Sequence, residues 1–126
     1  MVQSEHRVAA VRLFTHAKHR RVELYSTADS FMTADYVLRK YMKDAKKRKA
    51  ILLTLLRYTN IIDITRRHLE TALSGTEPDF EDAAKYEAAR HTDGLNFFVT
   101  RDKKGFKTSP LKVTTSEALV RELQNV

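Results

Sequence analysis

Four carboxylates offer the first chemical possibility in this chain: Asp79, Glu81 and Asp82 within "DFEDAAKYEAA", and Asp102 just after the apolar run "NFFVT". Carboxylate oxygens are preferred ligands of hard divalent cations. A Mg²⁺ or Mn²⁺ ion held by several of them can orient water and neutralise charge at a phosphodiester. The same residues also have a local reading. Asp79 suits a helix N-cap, Glu81 and Asp82 in a first turn complement the helix dipole, and Asp102 is an ordinary loop residue. Spacing alone leaves both readings open.

For distant carboxylates to converge, the chain must bring a helix start and a strand end to one edge. Ser4 can cap a first helix running to about His19, with Val8, Val11, Ala17 and either Leu13 or Phe14 at helical spacing. A short strand follows at Val22 to Tyr25. The stretch "ADSFMTADYVLRKYM" then reads as a helix burying Phe31, Ala34, Leu38 and either Tyr36 or Val37. "DAKKRKAILLTLLRYT" begins another helix, basic first and apolar later. "NIIDI", Asn60 to Ile64, is a β-branched strand before a helix that starts at Thr65 and ends at Ser74-Gly75. Pro78 and Asp79 open the next helix, which stops near Gly94, and Asn96 to Thr100 is the following strand. "LKV" is a small last strand, and Thr114 with Glu117 forms a capping-box pattern for the final helix. Such alternation predicts an α/β fold, a parallel sheet covered by helices, with ligands expected near the carboxyl ends of the strands.

The chain's 126 residues, 42% of them hydrophobic and 31% charged, fit one compact soluble domain spanning 1–126. Its lack of cysteine excludes a disulfide framework and thiolate metal sites, and suits a cytoplasmic location. The start "MVQSEHRVAAVRLF" has no signal-peptide pattern, and no run is long enough to span a membrane. A formal charge of +7 favours a polyanionic partner, either nucleic acid or an acidic protein. The run Lys43, Lys46, Lys47, Arg48 and Lys49 could bind RNA phosphates or an acidic tail, or could be a solvated helix face. Arg101, Lys103 and Lys104 add positive charge around Asp102. His16 and His19 share a helix face, but with His6, His68 and His91 scattered the histidines make a poor zinc set. Tyr36, Tyr41, Phe97 and Phe98 read as core rather than as a base-stacking platform. The absence of a Gly-rich phosphate loop and of a Gly-x-Ser-x-Gly elbow removes support for kinase-like, dinucleotide-binding and serine-hydrolase readings. No helix-turn-helix pattern supports a DNA-binding helical domain.

"DFEDAAKYEAA", then "NFFVTRDKKGF" and "SPLKV", resembles the C-terminal half of PIN domains, especially those of bacterial VapBC-type toxins. "ELYSTADSFMTADYVLRKY" resembles that family's second strand and the helix after it more faintly. The resemblance implies a three-layer α/β/α domain with a parallel sheet, an acidic Mg²⁺ or Mn²⁺ site and endoribonuclease activity. Its implied partners are RNA and an antitoxin protein. Asp82 and Asp102 match the family's acidic positions, as catalytic and metal-holding residues, and Asp79 is a supplementary ligand. Lys46, Lys47, Arg48, Lys49, Arg101, Lys103 and Lys104 would attract phosphate. Thr33 falls where the family usually has Glu, with Asp29 or Asp35 as substitutes if the alignment slips. Asn96 and Gly105 stand where acidic residues are common. The family's opening strand, which ends in an Asp-Thr-Asn-like motif, has no counterpart, so the resemblance is to an N-terminally shortened member with weak or absent RNA cleavage. A catalytically degenerate module that binds RNA or a protein partner is the alternative. That strand normally lies between the two matching Val22–Tyr25 and Asn96–Thr100. These are therefore expected either to pair directly or to accept a strand from another copy or another chain.

Overall fold

The computed structural model describes residues 12, 13, 15–100 and 111–124. The chain divides into two compact units, one formed by His16–Asp63 and the other by the sequence on either side of it. Among the described residues the strands form two separate two-stranded parallel sheets, one in each unit. No described helix is long and apolar enough to cross a membrane.

At the start of the His16–Asp63 unit, helical residues 16–18 end in a Schellman turn. The Arg20 N–H donates to the Ala17 carbonyl at 3.0 Å and the Arg21 N–H to the His16 carbonyl at 2.9 Å. Arg20 takes the left-handed conformation, φ 60°, that glycine usually supplies at this position. Strand β1, Leu24–Thr27, pairs in parallel with β2, Thr59–Ile62, in the register Leu24 to Thr59 through Thr27 to Ile62. Helix α1, Ala28–Leu38, follows β1 directly, and α2 is Ala45–Arg57. Asp44 caps α2, its carboxylate accepting the Lys46 N–H at 2.9 Å and the Lys47 N–H at 3.5 Å.

Arg48 holds the turn between these helices. Its guanidinium donates to Asp35 Oδ1 at 3.1 Å and to the carbonyls of Met42 and Lys43 at 2.9 and 3.0 Å. Helix α1 therefore stops at Leu38, short of the expected Met42, because carbonyls beyond it are satisfied from α2. Phe31, Ala34 and Leu38, expected to be buried, are half-buried, and Val37, one of the two alternatives for the same face, is 44% exposed. The aromatic expectation fails here: Tyr36 and Tyr41 are 64% and 80% exposed, since Tyr36 lies on the outer face of α1 and Tyr41 in the turn.

In the other unit, α3 spans Arg66–Ser74, α4 Phe80–Arg90 and α5 Ser116–Gln124, while β3, Phe97–Val99, pairs in parallel with β4, Lys112–Thr114. Small residues let α3 and α4 approach closely: Ala72 is buried with Ala83 and Ala84, and Ile64 packs against the cluster. Tyr86 meets Phe98 edge to face, with ring centroids 5.3 Å apart. A second cluster joins Leu13 to Leu119 and Val120 of α5, with Phe97 and Leu123 beside it. Gly94 makes the turn before β3 at φ 84°.

The final helix is capped one residue later than expected. Thr115 Oγ1 accepts the Ala118 N–H at 3.2 Å, while Thr114 remains a strand residue, its backbone oxygen accepting the Thr100 N–H at 2.9 Å. Of the two expected arrangements, direct pairing or acceptance of a strand from another copy or chain, the first is not found among the described residues, where β1 pairs with β2 and β3 with β4.

Candidate metal centre

Helix α4 begins at Asp79, whose extended backbone and short acceptor side chain stop the preceding chain and receive the first free amides. Asp79 Oδ1 accepts the Asp82 N–H at 3.0 Å, and the Asp79 carbonyl accepts from Ala83 at 3.0 Å. One residue missing from the sequence-based set joins this corner. Glu77 Oε1 accepts the Asp79 N–H at 3.1 Å, while its Oε2 is buried without a partner. Its signal was an acidic residue just ahead of Pro78-Asp79, where a side chain can satisfy the amide of the cap itself.

Asp82, in the first turn, is half-buried. Burial pushes its carboxyl above the ordinary range. The charge of Asp79, and more weakly those of Glu77 and Glu81, add to the rise, and Lys85 works against it. Lys85 is drawn toward Glu81, at 2.6 Å. The corner thus holds crowded carboxylates, one of which resists ionisation, and a buried oxygen without a donor. An all-oxygen, electron-rich set of this kind fits a hard divalent cation in donor type. Among the described residues, however, no three metal-ligating side chains converge, so the described part of the corner does not complete a coordination sphere.

The remaining sequence-derived residues fall in several places. Asp102, with Arg101, Lys103, Lys104 and Gly105, lies outside the described residues. The strand that leads to it is anchored by the Thr100–Thr114 backbone bond. Asn96 is exposed just before β3. In the other unit, Thr33 is exposed on α1, and Asp29 is half-buried in that helix's first turn. Asp35 is engaged by Arg48 and by Arg39, at 3.1 and 3.2 Å. Burial raises the Asp35 carboxyl, but the bonds and charges of the two arginines outweigh that and leave it below the ordinary range.

Lys46, Lys47 and Lys49 are exposed along the start of α2, whereas the Arg48 side chain, 13% exposed, is turned into its own unit. Two of the scattered histidines meet: His68 and His91 stack with centroids 5.6 Å apart. His68 Nδ1 accepts the Thr65 N–H at 3.0 Å, so this histidine stands in the helix-start position that Glu or Gln fills in a capping box. His91 Nδ1 lies 2.8 Å from the Glu87 carbonyl and must donate to it.

A family model described as PIN domain matches residues 1–104, a span that contains the Glu77–Asp82 corner, Asp102 and the lysines of α2. Comparison with curated proteins gave no match, and comparison with solved structures gave none. The α/β alternation, the parallel strand pairs and a match extending over most of the sequence lead to one assignment: the chain belongs to the PIN domain family, whose members are generally nucleases.

Proposed function

We propose that this chain is a PIN domain of the toxin type, related to metal-dependent endoribonucleases, in which Asp82 and Asp102 hold Mg²⁺ or Mn²⁺ and Asp79 supports them. The observation that carries this reading is the state of Asp82: a half-buried carboxylate whose ionisation is opposed by burial and by neighbouring acids, beside the unpartnered Glu77 oxygen. Such an arrangement costs stability unless positive charge offsets it, and active-site carboxylates are commonly found in that condition. A bound divalent cation would supply Lewis-acid stabilisation of phosphodiester charge and a more acidic water. The chain's own contribution is to fix the Asp82 backbone through the Asp79 cap and to supply Arg101, Lys103 and Lys104 as positive charge for the RNA backbone. In this reading the whole chain is one three-layer α/β/α domain acting in the cytoplasm. An antitoxin protein and a second copy of the chain are its further partners.

The test is binding of Mn²⁺ to the full chain by isothermal titration, followed by cleavage of a single-stranded RNA with Mn²⁺ and with chelator. Binding and cleavage that are both lost in Asp82→Asn support the proposal, and Mn²⁺ binding undiminished in that variant refutes the site. The degenerate alternative draws support from neutral, exposed Thr33 on α1. It is the conclusion if RNA is bound but remains intact.

A further inference from the structure

Helices α3 and α4 bring two histidines together, at the end of α4 opposite the acidic corner. His68 lies in the first turn of α3 and His91 directly after α4, and their ring centroids are 5.6 Å apart with 22° between the planes. His91 is exposed and His68 half-buried, so solvent reaches the pair. Two acids of the same helices are engaged elsewhere, Glu70 with Arg66 at 2.8 Å and Glu87 with Arg90 at 2.9 Å. Imidazole nitrogen is the donor that this end of α4 offers.

The backbone sets both tautomers. His91 Nδ1 donates to the Glu87 carbonyl at 2.8 Å, which leaves a lone pair on Nε2. Metal-ligating histidines are held in this way, one nitrogen donating to a carbonyl or carboxylate while the other faces the ion. His68 is held in the opposite sense: its Nδ1 accepts the Thr65 N–H at 3.0 Å, so the proton of the neutral ring is on Nε2.

We propose that His68 and His91 form a site for a borderline-soft divalent cation of the Zn²⁺ class, with water in the remaining positions. Imidazole suits Zn²⁺, Ni²⁺ and Cu²⁺, whereas Mg²⁺ prefers oxygen, so this site differs in ligand chemistry from the carboxylate corner. The spacing fits. With Zn–N bonds of about 2.0–2.1 Å and ~1.2 Å from nitrogen to ring centre, two imidazoles at a tetrahedral angle have centres ~5.2 Å apart. The observed separation is 5.6 Å. To ligate, His68 either passes its proton from Nε2 to Nδ1 or turns its ring to present Nδ1, and in both cases the Thr65 N–H loses its acceptor. Metal binding thus exchanges the α3 cap for a coordination bond that ties the start of α3 to the end of α4. Among the described residues no third ligating side chain joins the two, so affinity rests on both histidines. The inference is independent of the nuclease reading.

Isothermal titration of Zn²⁺ into the full chain, without a polyhistidine tag, tests it. Excess Mg²⁺ is present to compete for carboxylates and not for imidazole. One site is expected, weakened about tenfold or more in His68→Gln and in His91→Gln, since loss of even an outer partner of a ligand costs roughly 10–100-fold. Glutamine is an ordinary capping-box residue at the His68 position, so His68→Gln keeps an acceptor for Thr65 and removes only the imidazole. His91→Gln changes an exposed position and decides alone if circular dichroism shows the other variant unfolded. Asp82→Asn should leave the affinity unchanged, and hydrogen exchange at the Thr65 amide should quicken when Zn²⁺ is added. Absence of binding by the parent chain, or undiminished binding in a folded histidine variant, overturns the proposal. So does loss of binding in Asp82→Asn, which would assign the ion to the carboxylate corner, or unchanged Thr65 exchange, which would mean that His68 keeps its cap.

Discussion

Replacing Asp79 separates its duty as a cap from any duty as a ligand. Its carboxylate makes one cap bond, to the Asp82 N–H at 3.0 Å, and an N-cap truncated to alanine costs roughly 0.5–2 kcal/mol. The charge acts in two opposed ways. It gains about 0.3–1 kcal/mol from the α4 dipole, but it also helps push the Asp82 carboxyl upward. Asp79→Asn keeps an acceptor and removes both charge effects, so its net change should be within about 0.5 kcal/mol, the range of surface substitutions away from special features. Urea unfolding followed by far-ultraviolet circular dichroism resolves the two. At about 1–3 kcal/mol per molar urea, a loss of ~1 kcal/mol lowers the midpoint by roughly 0.3–1 M. Alanine should show that fall and asparagine far less of it. Equal losses in the two variants, or no loss in alanine, would refute the capping argument. Repeating the series in saturating Mn²⁺ exposes a ligand role, because ligation by Asp79 predicts a Mn²⁺-induced gain in the parent chain that asparagine reduces.

Three further outcomes are expected. With chelator present, Asp82→Asn should raise the thermal midpoint, since burial and neighbouring acids oppose ionisation of the native carboxyl; a lower midpoint counts against that account. Ala88→Leu, at a position 1% exposed in α4, should destabilise by about 1–3 kcal/mol through overpacking, measured by the urea midpoint. Because the folded Asp35 carboxyl lies below its ordinary 3.8, its ion pairs contribute above that pH. The contribution is lost as pH falls through the lowered value, and Asp35→Asn should flatten that part of the acid-unfolding profile.

Local signals were the legible ones. Pro78-Asp79 with Glu81 and Asp82 announced the start of α4 because capping involves neighbours in sequence, and "NFFVT" announced β3 because its β-branched and aromatic residues are contiguous. Pairing was less legible. β1 and β2 are joined by two helices, and nothing in either four-residue run names its partner. The Lys43–Lys49 run hid the inward course of Arg48, which depends on carbonyls in the preceding turn. The end of the first helix, expected near His19, falls at residue 18, although Arg20 occupies the left-handed position without a glycine to mark it. At the candidate site, Glu77 went unnoticed because its role, accepting the amide of the cap, falls outside the usual Ser/Thr-x-x-Glu pattern.

The contact of Leu13 with Leu119 and Val120 sets an order of events during synthesis. Residues 16–63 form their unit from a continuous stretch and can settle as soon as they leave the ribosome, through contacts that are short-range in sequence. Leu13 has to wait. Its partners lie 106 positions further along, and at about 5–20 residues per second that is a delay of roughly 5–20 seconds. Throughout that interval its apolar side chain lacks its native cover. Closure of the chain's longest described loop is thus one of the last steps of folding, and a destabilised α5 would release residues at the opposite end of the sequence.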